Sequence, residues 1–211
     1  SFGMGEYLMQ YNIEKIKQNL KRKLNSDRYE HTISVAYIAI ALAMRYDYDI
    51  KKAEIAGLLH DCAKCIPDDT KLSKCMKYNI SISDIERENP YLLHAKLGAF
   101  LAMNKYRVDD KDIVSAILYH TTGRPSMSTL EKIIYIADYI EPNRTKAFNL
   151  SEVRRIAFVD LDLTMYLILR DTVEYLKKNP KNIDVMTIKA YEYYDFLQKE
   201  KSNFLKNEEE D

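Results

Sequence analysis

An all-α fold is predicted for this chain of 211 residues by three observations. Apolar residues recur at helical spacing along most of its length, glycine and proline number only five each, and no run of alternating β-branched residues lies between turn signals. The periodicity predicts helices over roughly 6–24, 28–46, 52–64, 70–77, 82–88, 91–104, 110–120, 128–140, 150–178 and 184–205. The first is basic through Lys15, Lys17, Lys21, Arg22 and Lys23, which reads as a solvated face ahead of a nucleic-acid surface. The second is apolar almost all round from Ile33 to Met44, the pattern of a central helix. Two short helices, 70–77 and 82–88, separate the third from the sixth. Tyr191, Tyr193 and Tyr194 pack the last helix onto the core.

A hydrophobic content of 46% with 30% charged residues describes an ordinary globular chain with ample material for one core. The expected architecture is a compact single-domain helical bundle over residues 6–200, followed by a charged, frayed tail over 201–211 that ends Glu208-Glu209-Glu210-Asp211. A formal charge of zero supplies no field to draw in nucleic acid or an acidic membrane. No stretch approaches the roughly 18 unbroken apolar residues of a membrane span, and no signal peptide is visible. Ser1-Phe2-Gly3 ahead of Met4 reads as a cloning remnant. Three cysteines do not make a disulfide framework, so the expected setting is the reducing cytoplasm. Cys62 and Cys65 form a CxxC without the βαβ context or second pair that redox or zinc chemistry would need. Cys62 shares a stripe with Ile55, Leu58 and Leu59, and core packing accounts for it.

The chain has four histidines, His31, His60, His94 and His120, and each falls on an apolar helix face. His31 lines up with Val35, Ile38 and Leu42; His94 with Leu97, Gly98 and Leu101; His120 with Ile113, Ala116 and Ile117. His60 and Asp61 end the apolar run from Ile55 to Leu59. Asp138 interrupts another, following Leu130, Ile134 and Ala137. One histidine on such a face is ordinarily held by a backbone carbonyl. Four, with two carboxylates, ask for a shared partner, because buried imidazoles and carboxylates are costly unpaired. Nitrogen-rich donors suit iron, manganese, cobalt, nickel or zinc better than magnesium or calcium. Six ligands exceed what a four-coordinate site needs and fit two metals with open positions.

The order H…HD…H…H…D resembles the HD-domain phosphohydrolase superfamily. The segments RYEHTISVA, LLHDCAK, HAKLGA, AILYHTTG and IIYIADYIEPNR are similar to its YqeK branch over residues of about 15 to 195. That resemblance implies symmetrical hydrolysis of diadenosine tetraphosphate at a two-metal, usually iron, centre. By matching positions it implies His31, His60, Asp61 and Asp138 on the first metal, Asp61 bridging, and His94 and His120 on the second. The implied reaction is in-line attack on phosphorus by a hydroxide held between the cations. A nucleoside diphosphate leaves, so Asp61 and Lys64 would carry the chemistry without a strong general acid.

Lys64, one turn past Asp61, faces either a phosphate or solvent. Arg124 and Arg144 lie in loops just beyond proposed ligands, where a planar guanidinium fork suits phosphate. Together with Thr121 they form the expected substrate-binding set. The partners implied are a nucleotide substrate and nucleoside diphosphate product, with no nucleic acid and no membrane, in a chain that could pair as a homodimer. Two alternatives stay open: a 5′-phosphatase of mononucleotides, and a nucleotide-binding regulatory module without turnover.

Overall fold

The computed structural model describes residues 11–178 and 183–209, with side chains to residue 204. Among these residues there are eleven α-helices and no strand, as the periodicity predicts. They are α1 (Ile13–Lys23), α2 (Ser26–Arg45), α3 (Ile50–Leu59), α4 (Asp68–Lys77), α5 (Asp84–Glu88), α6 (His94–Asn104), α7 (Lys111–Tyr119), α8 (Thr129–Ile140), α9 (Leu150–Ile156), α10 (Leu161–Leu176) and α11 (Val185–Glu209). A 3₁₀ turn, Pro90–Leu93, leads directly into α6. The expected start at residue 6, Ser1-Phe2-Gly3, and Glu210-Asp211 of the tail all lie outside the described residues. The backbone of 201–209 continues α11.

Helix starts follow polar caps. The side chains of Asn25, Asp49, Ser83, Asp110, Ser128 and Asp160 each accept a backbone N–H of the first turn that follows them. Ser83 with Glu86, and Ser128 with Glu131, form reciprocal capping boxes.

Three expected elements differ from what is observed. The helix expected over 150–178 is two. It is interrupted over 157–160, and Asp160 starts α10 afresh by accepting from Leu163 N at 3.0 Å. The helix expected over 52–64 ends at Leu59, because the backbone turns to i→i−3 bonds at Cys62, Lys64 and Ile66. Finally, α2 is not buried all round: Tyr37 and Met44 are 62% and 60% exposed.

Even so, α2 is central. Its most extensive partner is α3, and it also packs on α8 and α1. At Gly57 a Cβ would lie 2.8 Å from the Ala36 Cα, so only glycine permits this approach of α3 to α2. The main core gathers Leu20, Val35, Leu42, Leu58, Ile113, Ile117, Ile133 and Ile134, all fully enclosed. A smaller cluster of Ala63, Cys75, Leu93 and Leu97 seats α4 and the 3₁₀ turn on α6. Tyr194 is buried on the core, where its hydroxyl accepts from Met127 N, as expected for the tyrosine-rich last helix. Among the described residues, no helix is long and apolar enough to cross a membrane. Cys62 is buried with its thiol pushed up to about 12 by burial, in keeping with a packing role.

Candidate metal centre

Helix termini deliver most of the cluster. His60 follows the last residue of α3, His120 follows the last residue of α7, and His94 opens α6. His31 lies in the second turn of α2, and Asp138 in the last turn of α8. Three of the imidazoles are tied in the same way. Nδ1 donates to the carbonyl three residues earlier: His60 to Gly57 at 2.6 Å, His94 to Tyr91 at 2.7 Å and His120 to Ile117 at 2.7 Å. A carbonyl oxygen can only accept, so the proton sits on Nδ1 and each Nε2 keeps its lone pair. His31 differs, with a carboxylate at each ring nitrogen: Nδ1 lies 3.3 Å from Glu141 Oε1 and Nε2 lies 3.1 Å from Asp138 Oδ1. The Nε2 atoms of His60, His94 and His120 are thereby free to act as ligands, and that of His31 faces the same centre.

Those atoms converge on Asp61, whose oxygens divide them. Oδ1 lies 3.3 Å from His94 Nε2 and 3.4 Å from His120 Nε2. Oδ2 lies 3.5 Å from His60 Nε2 and 3.8 Å from His31 Nε2. Asp138 Oδ1 is 3.1 Å from His31 Nε2 and 4.0 Å from His60 Nε2. His94 and His120 bring their Nε2 atoms within 3.2 Å of each other. Lone pairs and carboxylate oxygens facing one another at these distances repel unless positive charge lies among them. Among the described residues, His31 Nε2, His60 Nε2 and Asp61 Oδ1 are three of six buried side-chain polar atoms with no hydrogen-bond partner. Two triads can each hold an ion, His31–His60–Asp138 and His60–Asp61–His120. The residues present therefore fit a cation centre, and their nitrogen-rich donor set suits transition metals better than magnesium or calcium.

Burial opposes ionisation of Asp61, but His60, His120 and His94 outweigh it when they present charge or N–H donors to it, and hold the carboxyl well below the ordinary range; a bound cation would supply that positive charge in their place. Asp138 is likewise lowered against burial, chiefly by His31. Burial pushes His94 down to about 4, which keeps its Nε2 lone pair free at neutral pH. His31 is raised, because Asp138 overcomes its partial burial.

All six expected ligands thus meet in one place. Of the expected substrate-binding residues, Thr121 places Oγ1 3.4 Å from His94 Nε2 and 3.3 Å from His120 Nε2. Lys64 Nζ is 3.4 Å from His94 Nε2, and burial lowers its pKa. Arg144 lies 3.5 Å from Asp138 Oδ1 and also donates to the Asp138 carbonyl. Arg124 is otherwise engaged. Its guanidinium grips buried Glu131 at 3.0 and 2.8 Å and lies over the Tyr119 ring.

Two residues of the centre escaped the sequence reading. Arg28 donates to Asp61 Oδ2 at 2.9 Å, and Glu141 orients His31. Arg28 sits three residues before His31 on the same helix face, and Glu141 three after Asp138. That spacing is the signal that could have found both.

Residues 28–143 match the HD domain family model. A protein of Bacillus subtilis (strain 168) named symmetrical bis(5'-nucleosyl)-tetraphosphatase is 40% identical over 183 residues, covering 86% of this chain and 97% of that one. A Staphylococcus aureus (strain NCTC 8325 / PS 47) protein of the same name is 38% identical over 187 residues, 88% of this chain and 95% of that one. Among solved structures, a predicted HD superfamily hydrolase involved in NAD metabolism from Clostridium acetobutylicum superposes with a TM-score of 0.83 at 39% identity, covering 87% of this chain and 97% of that one. With the match spanning α2 to the loop after α8 and the relatives covered nearly end to end, this chain belongs to the HD-domain family, on the line of the symmetrical bis(5'-nucleosyl)-tetraphosphatases.

Proposed function

We propose that the protein hydrolyses diadenosine tetraphosphate symmetrically to two ADP, using two transition-metal ions held by His31, His60, Asp61, His94, His120 and Asp138. The observation that carries this is the arrangement of the four imidazoles. Every Nδ1 is tied to an acceptor, and every Nε2 is turned toward the two oxygens of Asp61. The relatives' names supply the substrate class. Iron is our first assignment for the ions, ahead of manganese, cobalt, nickel and zinc.

Bound cations would supply an acidified water and neutralise phosphate oxygens. The chain's own residues do the rest. Asp61 gives one oxygen to each half of the centre, so it couples the two. Arg28, Lys64 and Thr121 now donate toward Asp61, His94 and His120, the same atoms that a cation would engage. Were a cation to engage those atoms, Arg28, Lys64 and Thr121 would be left free to bind a polyphosphate. Arg144, beside Asp138, adds a second guanidinium on that side. Water adds to one of the two central phosphorus atoms, and the P–O bond joining the central phosphates breaks. Each half leaves as a nucleoside diphosphate, a leaving group good enough to need no dedicated acid.

A product panel under anaerobic iron or manganese tests this. ADP as the sole nucleotide product of diadenosine tetraphosphate is expected, with mononucleotides left intact; inorganic phosphate released from monophosphates instead would overturn it. Lys64→Ala should raise KM about tenfold, the worth of one charge-assisted contact, with metal content unchanged. We also assign the protein to a reducing compartment, its three cysteines being unpaired.

A further inference from the structure

We propose that a cavity beside the His94–His120 half of the centre receives one nucleoside of the substrate. This rests on the hydrolase reading above and extends it to how the non-reacting end is held. The cavity, of about 550 Å³, runs along the outer faces of α6 and α7. Its volume falls within the roughly 300–1,000 Å³ of small-molecule sites. Leu92, Ala99, Phe100, Val114, Leu118 and Tyr119 give it apolar and aromatic walls, and the Glu86–Lys96 ion pair, 2.7 Å long, gives it a polar edge.

Thr121 joins it to the chemistry. That residue lines the cavity and also places its hydroxyl within 3.4 Å of the Nε2 atoms of both His94 and His120. Two other cavities, one against α1 and one beside the start of α10, contain no residue of the centre. Through Thr121 this apolar cavity borders the place where a phosphate chain would engage the metals. The chemistry of that chamber suits a flat heteroaromatic base more than further phosphate. Phe100 is stacked from behind by Tyr78, with centroids 4.4 Å apart and planes 20° apart. Tyr78 does not line the cavity, so the pair forms a rigid wall whose inner member is presented to a ligand.

The experiment uses the full chain loaded with diamagnetic zinc, with ADP and, separately, inorganic pyrophosphate, which shares the anionic end but lacks the nucleoside. Methyl resonances of Val114 and Leu118 should shift on addition of ADP and stay in place with pyrophosphate. Phe100→Ala should weaken ADP binding about tenfold, as expected when a base loses an aromatic platform, with pyrophosphate affinity unchanged. Val114→Trp, which fills the chamber, should do the same if Phe100→Ala fails to fold. Methyls that ignore ADP, or variants that weaken ADP and pyrophosphate equally, would overturn the assignment. The two readings fail separately: unmoved methyls beside intact production of ADP sink only the nucleoside chamber, whereas shifted methyls without hydrolysis sink only the hydrolase.

Discussion

On one side of Asp61, His31 and His60 share their space with Asp138, and Glu141 and Arg144 stand behind them. On the other side, His94 and His120 face each other with only the second Asp61 oxygen between them, beside Lys64 and Thr121. The first half is rich in carboxylate and partly open, His31 and Asp138 having side chains 12% and 25% exposed. The second is nearly closed, His94 and His120 being 2% and 1% exposed. Anionic donors hold a cation by charge, whereas neutral imidazoles hold it by lone pairs alone. Two ions bound here should therefore differ in affinity, the tighter sitting with Asp138. The second half depends on Asp61 for its only negative charge.

The widest consequence should follow loss of the shared group. Asp61→Ala should remove both ions and reduce turnover at least a thousandfold, with the helical signal retained; elemental analysis beside circular dichroism reads this out. Activity persisting with one bound metal would break the idea that Asp61 couples the halves. Next, His120→Ala should lower metal content from two ions to one and leave the site around Asp138 loaded. A preparation that instead lost both ions together would show that the halves are not separable.

A smaller effect is expected behind the first half. Glu141→Gln keeps the shape but weakens the hold on His31 Nδ1, and should reduce metal affinity about tenfold, the lower end for partners that orient ligands. Equal affinity in a chelator competition would relegate Glu141 to packing. The smallest concerns Asp110, which caps the helix carrying His120 and pairs with Lys52 at 2.7 Å. Asp110→Ala should cost about 1 kcal/mol of stability in thermal or urea unfolding. Burial opposes ionisation of Asp110, but Lys52 and the backbone donors lower its folded pKa below the ordinary carboxylate value. Its contribution is thus present above the unfolded pKa and fades as pH falls through the folded one. A variant gap that stayed constant down to that acid range would contradict this assignment.

What the sequence revealed, and what it hid, divides along physical lines. His31, His94, His120 and Asp138 were legible because a helix with 3.6 residues per turn carries their apolar neighbours to the same face. His60 and Asp61 were legible as a pair closing a buried run. The change to i→i−3 bonds after Leu59 was not, since it depends on bonds such as Lys64 N to Asp61 O that periodicity does not encode. Arg28 was hidden among the polar residues of a helix start. Arg124 shows what a loop position hides, namely the partner its side chain finds. A loop arginine beside a ligand suggested phosphate, yet its partner Glu131 is buried in α8, in the capping box with Ser128. The split between α9 and α10 was missed because Phe158 and Val159 carry no breaker chemistry of their own.

Gly57 contributes to the centre without offering it a single side-chain atom. Its hydrogen allows α3 to nestle against Ala36, and its carbonyl anchors the His60 ring. The gap between the helices bearing His31 and His60 is therefore governed by main-chain contact. Natural variation at ligand-lining positions could retune which ion is preferred, while the geometry that separates the two donors stays fixed by the absence of a methyl group.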